Sequence, residues 1–138
     1  MGVGTDLVHV PRLAEALAQH PGFAARVFTS DEIAYCERHR QPAPRYAARF
    51  AAKEAVLKAL GTGLGRGMRW QDVEIVAGPN RQPLVRLHGE VATRARALGI
   101  VAVEVSLSHD GEYALAFAVT RPIDGAAPSD ASPPAGGA

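Results

Sequence analysis

Arg49-Phe50-Ala51-Ala52-Lys53-Glu54-Ala55-Val56-Leu57-Lys58-Ala59-Leu60-Gly61 is a run of helix formers that stops at a glycine. Ala, Leu, Lys and Glu lose little side-chain freedom in a helix, and glycine is common just past a helix end. Glu54 and Lys58 are four residues apart, so both leave one face, a turn apart. Alone, such a pair is an ordinary surface ion pair worth a few tenths of a kcal/mol. Two other stretches give it weight. Gly2-Val3-Gly4-Thr5-Asp6 is an apolar start that ends on an acid. Val105-Ser106-Leu107-Ser108-His109-Asp110 alternates like a strand and ends on a histidine. Two acids, a lysine and a histidine at element ends are the parts needed to hold a metal and a phosphorylated ligand.

Outward from that helix, expected over residues 45–60, the pattern mixes helices and strands. Residues 2–8 read as a short buried strand, and Pro11 fits the first turn of a helix to about Gln19. Phe23 to Phe28 is a short apolar-basic piece. Thr29-Ser30-Asp31-Glu32 offers an N-cap with acids in the first turn of a helix to about Arg38. His39 to Pro44, with two prolines, reads as a linker. The loop carrying Gly61, Gly63, Gly65 and Gly67 follows a helix, so it is neither a Rossmann nor a Walker A element. Strands are expected at 72–76 and 84–87 around Gly78-Pro79-Asn80, and a helix at 89–98 closed by Gly99. Two alternating strands, 101–107 and 113–120, flank Asp110-Gly111, a good hairpin turn. The class is α+β, an antiparallel sheet packed with a long helix. Residues 1–121 make one domain. From Pro122 to residue 138 the chain is, apart from Ile123, only Pro, Ala, Gly, Ser and Asp, with almost nothing to bury, which reads as a disordered tail.

At 138 residues, with 47% hydrophobic and 21% charged, the chain can bury a real core in one domain. Its net charge of +1 excludes a strongly basic nucleic-acid binder. Lysine occurs only at Lys53 and Lys58, and every other cation is arginine, the better residue for bidentate contacts to carboxylate or phosphate. An Ala-, Arg- and Gly-rich composition is equally what GC-rich DNA encodes. The single cysteine, Cys36, excludes an internal disulfide and suits a reducing compartment. No basic start with a long apolar run opens the chain, and no segment approaches about 20 apolar residues. The expectation is a soluble cytoplasmic protein that neither binds nucleic acid nor spans a membrane.

Each candidate residue also has a structural reading. Asp6 can cap the turn that follows it. His109, a lone histidine, is more often structural than catalytic. Ser106 and Ser108 lack a Gly-x-Ser-x-Gly context, and the scattered histidines give no zinc-ligand spacing. Arg12, Arg26, Arg45 and Arg49 lie at helix starts, where they meet an acidic partner or simply form a solvated basic face.

Taken together, these segments resemble the holo-acyl-carrier-protein synthases, the small phosphopantetheinyl transferases of bacterial fatty-acid synthesis. The resemblance covers about residues 2–120. It rests on Gly2 to Asp6 followed by Arg12, on Phe28-Thr29-Ser30-Asp31-Glu32, on Arg49 to Ala55 with Lys58 to Gly63, on Trp70-Gln71-Asp72-Val73-Glu74-Ile75, and on Ser106-Leu107-Ser108-His109. It implies transfer of 4′-phosphopantetheine from coenzyme A to a serine of apo acyl carrier protein, releasing adenosine 3′,5′-bisphosphate. It implies Mg²⁺, with Mn²⁺ as a substitute, on Asp6 and Glu54. Glu54, Lys58 and His109 become catalytic. Arg49, Lys58, Gly61, Asn80, Pro83, Ser108 and His109 become coenzyme A contacts. Arg12, Phe23 and Arg26 become the carrier-protein docking region, and a homotrimer with sites between subunits is expected. The alternative is an inactive carrier-protein-binding or assembly protein of the same fold. One departure stands out: the family often has Asn-Gly-(Lys or Arg)-Pro where this chain has Asn80-Arg81-Gln82-Pro83. Asn80, which tolerates a left-handed backbone, is expected to rescue the turn.

Overall fold

The computed structural model describes residues 1–124. Its elements run β1 (Val3–His9), α1 (Val10–Gln19), α2 (Phe23–Val27), α3 (Ser30–Glu37), α4 (Pro42–Leu60), a 3-10 turn (Trp70–Asp72), β2 (Val73–Ala77), β3 (Pro83–Leu87), α5 (Gly89–Ala97), β4 (Ile100–Asp110) and β5 (Tyr113–Pro122). The first and last strands pair. One antiparallel sheet has the order β1-β5-β4, and β2-β3 form a separate hairpin. The α+β expectation holds. Residues 125–138, most of the expected tail, lie outside the described residues. Among the described residues no helix is long and apolar enough to cross a membrane.

Helix α4 lies across the inner face of the three-stranded sheet because that face is built from small residues. Gly4, Ala118 and Val105 share one rung, and Asp6, Ala116 and Leu107 the next. A Cβ on Gly4 would stand 2.1 Å from the Ala55 carbonyl oxygen, and one on Gly2 at 2.1 Å from that of Ala59. Only glycine permits this approach of β1 to α4. Ala51, Ala52, Ala55, Val56 and Leu57 complete the contact, fully buried or nearly so. On the opposite face of the sheet the alternation sets Val3, Leu7, Leu115 and Phe117 outward, and all four are exposed, Phe117 by 48%.

Several local expectations shift. Helix α4 starts at Pro42, not near residue 45. Pro42 and Pro44 both sit in its first turn, where a backbone N–H has no intrahelical acceptor, so neither ring costs a hydrogen bond. Within the apolar-basic piece, residues 23–27 close into a short helix. The last hairpin turns on Gly111-Glu112, since Asp110 still pairs with Tyr113. In the β2-β3 turn it is Arg81, with φ +63°, and not Asn80, that takes the left-handed backbone. The helix α3 cap is as expected: Thr29 accepts from the Glu32 N–H and Glu32 accepts from the Thr29 N–H.

Glu32 does more than cap. Its Oε1 lies 2.8 Å from Lys53 Nζ, both side chains being 0% exposed, and its Oε2 accepts the Ile75 N–H at 2.8 Å. The Lys53 ammonium donates its other two protons to the carbonyls of Trp70 and Val73. All three lysine donors are thereby used. Burial pulls the Lys53 ammonium below its ordinary value, and Glu32 pulls it back. Beyond it, Thr29 Oγ1 donates to Glu74 Oε2 at 2.9 Å, and His88 Nε2 lies 2.9 Å from Glu74 Oε1. One cluster therefore joins α3, α4, the 3-10 turn and β2. Lys53→Met should cost about 3–5 kcal/mol, because it strands the Glu32 carboxylate in the interior. Adding Glu32→Leu should recover only part of that, since the Thr29 and Ile75 N–H groups then lose their acceptor. Urea unfolding of the two variants checks both; a loss under 1 kcal/mol for Lys53→Met contradicts the account.

Candidate functional site

Helix α4 carries candidate site residues on two sides. Glu54 lies nine residues beyond Arg45, about 180° round the helix at 3.6 residues per turn. Arg45 and Arg49 thus face one way, and Phe50, Glu54 and Lys58 the other. Each side opens onto its own cavity.

The first cavity, about 670 Å³, is lined by Asp6, Arg12, Phe23, Phe50, Glu54 and Tyr113 among others. Strand parity sends Asp6 to the helix side of β1, beside Gly4 and Val8. There Lys58 Nζ lies 3.1 Å from Asp6 Oδ1 and donates to the Thr5 carbonyl at 3.0 Å. Burial, and then the Asp6 charge, raise the Glu54 carboxyl above its ordinary value, while Lys58 pulls it down. Phe50 packs between Trp70, at 5.2 Å, and Phe23, at 6.3 Å. Gln71, beside Trp70, donates from Nε2 to the carbonyls of Ala25 at 2.6 Å and Phe28 at 3.0 Å. That amide fastens the end of α2 to the body of the fold and so fixes Phe23 at the cavity. The sequence marked Gln71 only as part of a motif; nothing in its spacing signals a latch to α2.

The second cavity, about 240 Å³, is lined by Tyr35, Arg45, Arg49, Arg81, Ser108 and His109 among others, and no acid lines it. Arg49 is 5% exposed, and its guanidinium carbon sits 3.8 Å from the centroid of the Tyr35 ring. Stacking on the ring holds the planar group in place. Its Nε is buried with no hydrogen-bond partner among the described residues. An orphaned buried cationic donor in an acid-free cavity fits an anionic ligand.

The expected site residues therefore fall into two groups. Asp6, Glu54 and Lys58 meet, with Arg12 and Phe23 on the same cavity. Arg49, Pro83, Ser108 and His109 meet on the other. Gly61 lines neither. It ends α4 in a left-handed conformation, φ +74°, with the Thr62 N–H closing onto the Leu57 carbonyl. Asn80 is exposed in its turn and lines neither cavity; Arg81 reaches the second instead. Arg26 is exposed on the last turn of α2, outside the first cavity. Neither Tyr35 nor Arg81 is among the site residues expected from sequence, though Arg81 belongs to the turn noted as a departure from the family pattern. No local pattern shows that a residue of α3 will underlie an arginine of α4.

The Asp6-Glu54 pair has the chemistry of a seat for a divalent ion. Both donors are carboxylates close enough for one charge to disfavour the other, a cost that a dication relieves. Among the described residues no group of three or more His, Cys, Asp or Glu side chains forms a closed metal cage. Two carboxylates with the remaining positions left to water and substrate suit Mg²⁺, which keeps several waters.

The family model of the 4′-phosphopantetheinyl transferase superfamily matches residues 2–118. The chain belongs to that superfamily. It is 48% identical over 118 residues to a holo-[acyl-carrier-protein] synthase of Moorella thermoacetica, covering 86% of this chain and 91% of the relative. The crystal structure of the holo-[acyl-carrier-protein] synthase of Neisseria meningitidis superposes with a TM-score of 0.79 at 30% identity, over 87% of this chain and 97% of that one. That of Helicobacter pylori, in complex with coenzyme A, superposes with a TM-score of 0.76 at 28% identity, over 86% and 99%. This phosphopantetheinyl transferase thus shares its fold with both of those synthases.

The raised Glu54 carboxyl makes a testable cost. A carboxyl raised by folding contributes stability that is full below its ordinary pKa and is lost as pH rises through the raised value. Without added metal, Glu54→Gln should therefore raise the thermal midpoint at neutral pH, by a few degrees at most, and the gain should shrink toward acid. A wild type more stable than the variant at pH 7 overturns that sign.

Proposed function

We propose that this transferase moves the 4′-phosphopantetheine group of coenzyme A to a serine of apo acyl carrier protein, releasing adenosine 3′,5′-bisphosphate. The observation that carries the reading is that Asp6 and Glu54 line one cavity with Arg12 and Phe23, while Lys58 pairs with Asp6 at its edge. The serine oxygen attacks the phosphorus that bears the pantetheine. The bond from that phosphorus to the bridging oxygen breaks, and the nucleotide bisphosphate leaves.

Asp6 and Glu54 would hold Mg²⁺, or Mn²⁺ in its place, whose chemistry is to offset charge on the diphosphate as the leaving oxygen departs. Lys58 adds a fixed cation to the same diphosphate. The Glu54 carboxylate takes the serine proton, directly or through water; its raised value suits a base nearer neutrality. Arg49, Ser108, His109 and Pro83 receive the nucleotide end of coenzyme A, with His109 beside a phosphate. Gly61 serves by ending α4 just beyond Lys58, and the Asn80 turn by carrying the loop over the nucleotide. Arg12, Phe23 and Arg26 receive the acidic face of the carrier protein. The buried, unpaired Cys36 fits a cytoplasmic setting, and fatty-acid synthesis is the process served.

The two cavities of one chain open on opposite sides of α4, so a single ligand using both would have to pass the helix. A homotrimer resolves this: the acid-bearing cavity of one subunit meets the cationic cavity of the next, and the exposed Val3, Leu7, Leu115 and Phe117 face supplies apolar contact area. The direct test is incubation with coenzyme A, Mg²⁺ and apo carrier protein, with the pantetheinyl adduct read by mass spectrometry. Absence of adduct under saturating substrates favours the inactive binding protein.

If the site is shared, Asp6→Ala and His109→Ala should each lose at least about tenfold in turnover, ~1.4 kcal/mol. Co-refolding the two should restore activity in sites that combine both intact residues. An active monomer in sedimentation, or mixtures no better than either parent, refutes the sharing.

Arg12→Glu should raise KM for the carrier protein and flatten its salt dependence, leaving KM for coenzyme A nearly unchanged. Equal losses for both substrates would make Arg12 a support of the fold instead.

A further inference from the structure

His9 ends β1 and stands just ahead of α1, at the rim of the first cavity. With Arg12 and Glu15 it also lines the neighbouring hollow over the start of α1. Its ring packs against Tyr113 at 5.1 Å, and its Nε2 lies 3.3 Å from Glu112 Oε1 in the β4-β5 turn. The Val10 N–H donates to the Glu112 carbonyl at 2.7 Å, which fastens that turn to the start of α1. His9 and Glu112 therefore stay together, and both side chains reach water, the carboxylate with 71% of its surface exposed. Arg12, in the first turn of α1, joins no ion pair among the described residues, and no acid stands in that turn.

We propose that the His9-Glu112 pair is a pH-sensitive rim of the carrier-protein site: it admits an acidic partner when His9 is protonated and opposes it when His9 is neutral. This rests on the reading above that the carrier protein docks at Arg12 and Phe23. Histidine is the side chain whose charge ordinarily changes between pH 5 and 8. With the imidazole protonated the pair is neutral, and the Arg12 cation faces the partner unopposed. With it neutral, the Glu112 carboxylate is uncompensated and repels the same acidic surface that Arg12 attracts. The other titratable groups around His9 are Arg12 and Glu15 on α1, Tyr113 on β5, and Asp6 and Glu54 across the first cavity. One exposed charge, screened by salt, changes affinity by only about twofold to fivefold.

Fluorescence anisotropy of a labelled apo acyl carrier protein, its acceptor serine replaced by alanine, reads docking at fixed Mg²⁺ and ionic strength. For the wild type, Kd should rise about twofold to fivefold between pH 6 and pH 8. His9→Gln should stay near the weaker value at both pH values, and His9→Lys near the tighter one. Glu112→Gln, at an exposed turn, should tighten docking at pH 8, and keeps the test open if changes at His9 disturb folding. Titration of the carrier protein or of Glu54 enters all four proteins alike, so the difference between wild type and His9→Gln carries the result. An equal pH dependence in those two, or weaker docking of Glu112→Gln at pH 8, overturns the inference. No transfer occurs in this assay, so the two readings fail separately. Docking with the expected pH dependence but no pantetheinyl adduct on the intact carrier protein overturns the transferase reading alone. Adduct formation with pH-independent docking overturns the rim alone.

Discussion

The fold hangs on one buried ion pair. Lys53 sits near the middle of α4, inside the core, and its ammonium is spent on Glu32 and the carbonyls of Trp70 and Val73. A charge so far from water is tolerable only with every donor and acceptor matched. Matching them forces α3, the 3-10 turn and β2 to their places around α4. Once those are set, Gln71 reaches α2, and Thr29 and His88 hold Glu74. Burial alone would raise the Glu74 carboxyl, yet these two hydrogen bonds hold it below its ordinary value. Its stabilisation is complete above the ordinary carboxylate range and is lost as pH falls below it.

Adjacent residues on α4 have opposite fates. Lys53 points into the core and builds structure, whereas Glu54 points to a cavity and is costly to keep ionised. A turn earlier, Arg49 stacks on Tyr35 toward the other cavity. One helix thus serves as core, acid-bearing wall and cationic wall. The division leaves the two groups of side chains on opposite sides of one helix, about 180° apart.

Both cavity walls carry local costs that the rest of the fold supports. Glu54 is held near Asp6, and Arg81 is held at φ +63°. Neither helps the chain to fold. Both are sustained by neighbours that fold well: the close glycine-alanine seam of β1, β5 and α4, and the hydrogen-bonded β2-β3 turn. Sites that break local rules are where function is expected to concentrate.

The sequence by itself determined the element order, the α+β class, the Thr29 cap, and the pairing of Glu54 with Lys58 on one face. These depend on spacing, capping chemistry and alternation, all local quantities. It also marked His109, next to the end of β4, and Asp6, although Asp6 lies in the middle of β1 and not at the strand end expected, because the strand runs on to His9. What it could not decide were contacts between distant segments. Pro42 and Pro44 read as a linker because prolines break helices, until their place in the first turn of α4 made them harmless. Asn80 was the natural left-handed residue, yet the hydrogen bonds of the closed hairpin assigned that conformation to Arg81. The split of the site residues into two cavities, Tyr35 beneath Arg49, and Lys53 against Glu32 all depend on how α4 is turned against the sheet and against α3. That rotation is set by packing, by the seam at Gly4 and by the demand that one buried lysine find three acceptors, and no window of local sequence contains it.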